Sequence, residues 1–167
     1  MNGIATGVGS SHQAPPLHRP DLIMLHLRRA LLWLLTLAFM ARVMGQILVG
    51  IYQPSILPSW SEWYSGLLPY PWLLLSQFLL LMFMAVVNTD NWRAQGTFYV
   101  QSATARRWLM ALAGIYAACM ITRYGFQMMW QPDQRWFGGT IPIIFHLVLA
   151  AWMLTLTWPG ALRKTIT

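Results

Sequence analysis

The chain has 167 residues, of which 57% are hydrophobic and only 9% charged, with 11 Lys and Arg against 4 Asp and Glu for a formal net charge of +7. A soluble domain carries about a quarter charged residues, so this composition excludes an ordinary water-soluble globule. The basic excess does not point to nucleic acid either, because it sits at the ends of apolar runs rather than in one patch or stripe.

In chain order, residues 1–27 form a tail whose opening, "MNGIATGVGSSHQAPPLHRP" (1–20), is rich in Gly, Ser and Pro. Such a segment buries too little apolar surface to offset its ordering entropy, so it is expected to be disordered unless a partner orders it. Residues 28–167 read as one membrane domain with four apolar windows at about 30–52, 70–88, 108–130 and 140–158. Each is close to the ~20 residues a helix needs to cross a hydrocarbon core of ~30 Å. Lipid offers the backbone no hydrogen bonds, so each window should be helical. The expected fold is all-α, a four-transmembrane-helix bundle.

The charges orient it. Arg19, Arg28 and Arg29 precede the first window, Arg93, Arg106 and Arg107 lie between the second and third, and Arg163 and Lys164 follow the fourth. The other two connections hold only Arg135, against Glu62 and Asp133. This positive-inside pattern places both termini in the cytoplasm, as expected of a protein of a bacterial inner membrane. No apolar h-region precedes the first window and no A-x-A site follows it, so no secretory signal is expected. Cys119 falls inside the third window and is the single cysteine, which excludes an intrachain disulfide.

The first outer connection, "YQPSILPSWSEWYSGLLPYPW", is broken by prolines and carries Trp60, Trp63, Tyr64, Tyr70 and Trp72. It reads first as an aromatic belt at headgroup level, and second as a lid or docking surface. The cytoplasmic loop "NTDNWRAQGTFYVQSATARR" is polar and carries no catalytic or phosphate-binding motif. The first and third windows share a pattern: a paired Arg before them, Arg and Gln four apart (Arg42/Gln46 and Arg123/Gln127), and a Gln-Pro end. With Gln77 and His146 in the second and fourth windows, the pattern is compatible with two parallel-related helical hairpins. In the third window Gly114, Ala118 and Thr122 recur every four residues, the small-residue spacing that lets helices pack closely in lipid.

Six polar residues lie at membrane depth: Arg42, Gln46, Gln77, Arg123, Gln127 and His146. At 1.5 Å per residue, Arg42 sits roughly 15 Å from the outer helix end, and Arg123, Gln77 and His146 roughly 10 Å from it. All four helices thus contribute to one layer of the outer leaflet. An arginine at such depth costs at least ~2.5–3.5 kcal/mol and normally faces protein or water with a partner. Yet the four acids, Asp21, Glu62, Asp90 and Asp133, all lie in the tail or loops by this reading.

Three readings of the arginines stay open. They snorkel to the headgroups; or they hold an anionic or carbonyl-bearing ligand through charge-assisted bonds; or a partner subunit supplies the missing acceptors. His146 reads as a hydrogen-bonded structural group, or as a group contacting a quinone or a chlorin-type pigment. A bis-His haem is not expected, because His12, His18 and His26 precede the first window. No metal-ligand spacing and no catalytic signature occurs. The expected function is a non-catalytic accessory subunit of a larger membrane complex that binds an anionic lipid or a quinone- or pigment-like molecule. The alternative is a stand-alone membrane enzyme or carrier for an amphiphilic anion, using Arg42, Arg123 and His146.

Overall fold

A computed structural model describes residues 19–63, 69–96, 98–99, 102–130 and 140–158, with side chains from residue 22 onward except those of 61 and 62. The tail before residue 19, residues 64–68, the whole connection 131–139 and the segment after residue 158 lie outside the described residues, and with them the expectation of a partner-ordered tail. Five helices follow in order: α1 (Arg19–Tyr52), α2 (Trp60–Trp63), α3 (Tyr70–Arg93), α4 (Ala103–Trp130) and α5 (Thr140–Thr157). Among the described residues there is no strand. α1, α3, α4 and α5 are long and apolar enough to cross a membrane.

Local chemistry sets the ends. Pro20 lies in the first turn of α1, where its missing N–H would have no partner anyway. Past Tyr52, Gln53 adopts a left-handed φ of 43° and donates its N–H to Val49 O at 3.1 Å, and Pro54 cannot continue the helix. α3 opens on Pro69, whose carbonyl accepts from Trp72 N at 3.0 Å and Leu73 N at 3.1 Å. It closes on Ala94, left-handed at φ 54°, with Gln95 N donating to Asp90 O at 3.1 Å. Ser102 caps α4 by accepting from Ala105 N through its hydroxyl at 3.1 Å.

Three of the four long helices outrun the expected windows at the end nearer the chain termini. α1 starts at Arg19 rather than near residue 30, α3 runs to Arg93 rather than 88, and α4 starts at Ala103 rather than 108. An apolar window marks where a helix can meet lipid, not where its hydrogen bonds stop. Polar residues that pack between helices extend it at no loss.

α1 and α5 pack against each other; α3 lies along α1 and α4 along α5. Leu32, Phe39, Val43, Met84, Val87, Trp152 and Leu156 form the core where α1, α3 and α5 meet. At one level of that seam Asn88 of α3, 1% exposed, joins all three helices. Its amide nitrogen donates to Thr36 Oγ1 at 2.8 Å and Leu32 O at 3.2 Å, and its Oδ1 accepts from Trp152 Nε1 at 3.1 Å. Closer to the termini, Arg28 of α1 donates to Asn91 Oδ1 at 2.9 Å and to Leu156 O at 3.0 Å. Apolar helices in lipid gain little from burying one another, so packing and such bonds hold them together.

α4 stands apart. Among its described residues only Ala113 is buried. A Cβ added at Gly114 would meet nothing within 4 Å, and Ala118 and Thr122 are exposed. The small-residue ridge therefore faces away from the rest of the described chain. The two arginine helices also differ in burial: Arg42 is 7% exposed, whereas Arg123 lies on the open face of α4.

Candidate functional site

Arg42, Gln46 and Gln77 come together. Arg42 and Gln46 are one turn apart on α1, so they share its face toward α3 and α5. Arg42 donates through Nη1 to Gln46 Oε1 at 2.9 Å, and Gln77 of α3 donates through Nε2 to the same oxygen at 3.2 Å. The arginine fixes the amides: only Gln46 Oε1 can face a guanidinium, and that oxygen in turn draws the Gln77 nitrogen. The second Arg42 amino group reaches Trp63 O at a long 3.4 Å, and the guanidinium lies 5.8 Å from the Phe145 ring centroid.

This cluster does not satisfy itself. Gln46 is 0% and Gln77 6% exposed, and Arg42 Nε, Gln46 Nε2 and Gln77 Oε1 are buried without partners among the described residues. Each unmade bond costs about 1–3 kcal/mol, more where charge is involved. Among the described residues no Asp or Glu pairs with Arg42. Two of the three orphan atoms are donors on or beside a cation, so the deficit is one of acceptors.

A cavity of about 440 Å³ adjoins the cluster. Phe39 and Arg42 of α1, Trp63 of α2, Leu73, Ser76, Gln77 and Leu80 of α3, Tyr116 of α4, and Pro142, Phe145, His146 and Leu149 of α5 line it. His146 Nδ1 and the Tyr116 hydroxyl are hydrogen-bonded at 2.5 Å, and their rings meet edge to face at 5.8 Å. That bond leaves the other ring nitrogen, Nε2, as the one that can serve a ligand. α3 and α4 both line the cavity, although they are not among the helix pairs that pack closely.

The loop end is covered. The α2 turn lays the Trp63 ring on Gly45 and the Trp60 ring on Gly50, where an added Cβ would stand 2.8 Å and 2.9 Å from the nearest ring atoms. Trp63 Nε1 donates to Pro58 O at 3.2 Å, and Trp60 meets Tyr70 edge to face at 4.9 Å. The aromatic connection is thus seated on α1 through two glycine notches, with Trp63 buried against the cavity. Trp72 stays exposed, and Tyr64 lies outside the described residues.

The other expected residues lie elsewhere. Arg123 lines a separate open groove of about 540 Å³ with Ala118, Cys119, Thr122, Phe126 and Trp130. Gln127 is half-buried, one turn further along α4, and does not line the cavity. Tyr116 and Phe145 line the cavity without having been singled out from the sequence, whereas Trp63 belongs to the connection expected to be a belt or a lid. Tyr116 was the findable one: a hydroxyl inside an apolar window is as much a polar group at depth as a glutamine. Among the described residues no group of three or more His, Cys, Asp or Glu could hold a metal ion. No protein-family model matches the chain, and no curated protein or solved structure matches it at a significant level.

Proposed function

We propose that the chain is a non-catalytic subunit of a bacterial inner-membrane complex, its termini cytoplasmic, and that its cavity holds the head of an amphiphile. The head is an anionic or carbonyl oxygen group: a lipid phosphate, a carboxylate or a quinone. The observation that carries this reading is the acceptor deficit around Arg42 beside a cavity. A buried guanidinium with an unpaired Nε, next to an unpaired amide donor, favours any oxygen that reaches it. The loose contact between α3 and α4, which both line the cavity, suits a ligand delivered from the bilayer, and the Trp63 cover suits exclusion of water. Gln77 Oε1 leaves room for one hydroxyl or bridging water.

The subunit part of the proposal is supported by α4. Its outward face combines a small-residue ridge with Arg123, an exposed cation in a span long enough to cross the membrane. A neighbouring helix that brings an acceptor would cover both. A second reading, a stand-alone enzyme or carrier, draws on Tyr116 and His146, a hydrogen-bonded pair of proton-exchanging groups on the same cavity.

The test is purification from native membranes in mild detergent. Under the proposal the chain elutes with other polypeptides, Arg123→Gln releases them, and extraction yields an amphiphile that Arg42→Gln loses. A bare chain of 19.1 kDa, or a homo-oligomer of it, that turns over an amphiphilic anion would favour the second reading.

A further inference from the structure

A second polar site lies at the opposite end of the helices, between α1 and α3. Ala30 and Trp33 on α1, one turn apart, face Thr89, Trp92 and Arg93 on α3 across a groove of about 650 Å³. Arg29 borders it. Its Nε donates to the carbonyl of Asn91 at 3.1 Å, and its guanidinium carbon stands 5.9 Å from the Trp92 ring centroid. One bond to a main-chain carbonyl and one ring contact orient the fork but leave both terminal amino groups without a hydrogen bond among the described residues. Arg93, the last residue of α3, is exposed and likewise makes no hydrogen bond among the described residues.

Among the described residues no acid lines this groove. Asp90 is the nearest in sequence, and its carboxylate is turned to the chain after α3, accepting from Phe98 N at 3.3 Å. Arg28 adds positive potential from a buried position, its Nη2 donating to Asn91 Oδ1 and Leu156 O while its Nε has no partner among the described residues. Two tryptophans, the terminal amino groups of Arg29 and the exposed guanidinium of Arg93 form a site for a phosphate joined to an apolar chain. The arginines meet the phosphate, and the indoles pack on the glycerol and upper chain at the level where tryptophan rests best.

We infer that the groove between α1 and α3 binds the headgroup of an anionic phospholipid of the cytoplasmic leaflet, through Arg29 and Arg93 with Trp33 and Trp92 as its walls. The inference rests on the membrane placement proposed above but not on the Arg42 cavity.

The test uses the full chain in a non-ionic detergent, titrated with short-chain phosphatidylglycerol, with phosphatidylcholine or with inorganic phosphate, and bound mass read by native mass spectrometry. Phosphatidylglycerol should bind about tenfold more tightly than phosphatidylcholine. Arg29→Gln and Arg93→Gln should each weaken it about fivefold, the effect of one basic residue near a lipid surface. Arg93→Gln changes an exposed side chain and guards against a folding artefact; Arg42→Gln should leave this binding unchanged. Equal affinity for the two lipids, or wild-type binding by the double variant, overturns the inference. Inorganic phosphate competing as well as the lipid would assign the site to a soluble anion and also overturn it. Carbonate extraction separates the premises: a chain released from membranes fails the membrane placement, whereas a retained chain without lipid preference fails this inference alone.

Discussion

The Asn88 and Arg42 clusters use nearly the same parts at two levels of one molecule. Each joins a polar group of α1 to an amide of α3 and borders an aromatic ring of α5. The Asn88 cluster closes: its amide donates twice, accepts once, and Thr36 also bonds Leu32 O at 2.8 Å. The Arg42 cluster stays open, with three unpaired atoms, a strained reach to Trp63 O and a cavity alongside. A closed network is a rivet, because every member already has its partners. An open one, held in place by the same helices, leaves donors that the proposed ligand would meet.

Four substitutions sharpen or break that comparison. The largest effect should come from the rivet: Asn88→Ala strands Trp152 Nε1 and the Thr36 hydroxyl and leaves a cavity, at about 2–4 kcal/mol. Unfolding in detergent should show the loss directly. A change under 0.5 kcal/mol would mean the network adds nothing to packing.

Arg42→Met should behave oppositely. Replacing an underpaired buried cation with an apolar side chain of similar length should stabilise the ligand-free protein, by about 1–2 kcal/mol. It should also weaken ligand binding about 10- to 100-fold, the worth of a charge-assisted bond. Loss of stability on that change would place Arg42 with Asn88 as a structural group.

Gly45→Ala tests the cover. Its methyl group would stand 2.8 Å from the Trp63 ring. The ring must shift, at about 1–3 kcal/mol, which unfolding in detergent should show as lost stability. The smallest effect belongs to Tyr116→Phe, which removes one bond to His146 and should cost about 0.5–1.5 kcal/mol. Ligand affinity should fall with it if His146 Nε2 serves the cavity.

The helices were legible in the sequence because composition at ~20-residue scale reports on helices this apolar. Their ends were less so: Asn88, Asn91 and Arg28 look like loop or flanking polarity, yet they are buried between helices. Four of the six polar residues, Arg42, Gln46, Gln77 and His146, come to one place, and they were noticed because a deep arginine without an acid is costly wherever it lies. Depth along a helix can be counted from the chain, but rotation about its axis depends on the neighbour it meets. Arg42 and Arg123 share a sequence pattern, but α1 is enclosed by three helices while α4 touches chiefly α5. The two glycine notches under Trp60 and Trp63 were invisible for a similar reason, since a notch is defined by the ring that enters it.

The most direct test is native mass spectrometry of wild type, Arg42→Gln and Arg123→Gln, each released gently from its own membranes. The account predicts a discrete non-protein mass on the wild type, retained by Arg123→Gln and absent from Arg42→Gln. No such mass on the wild type, or the same mass on Arg42→Gln, would contradict it and leave the Arg42 cluster as a packing feature.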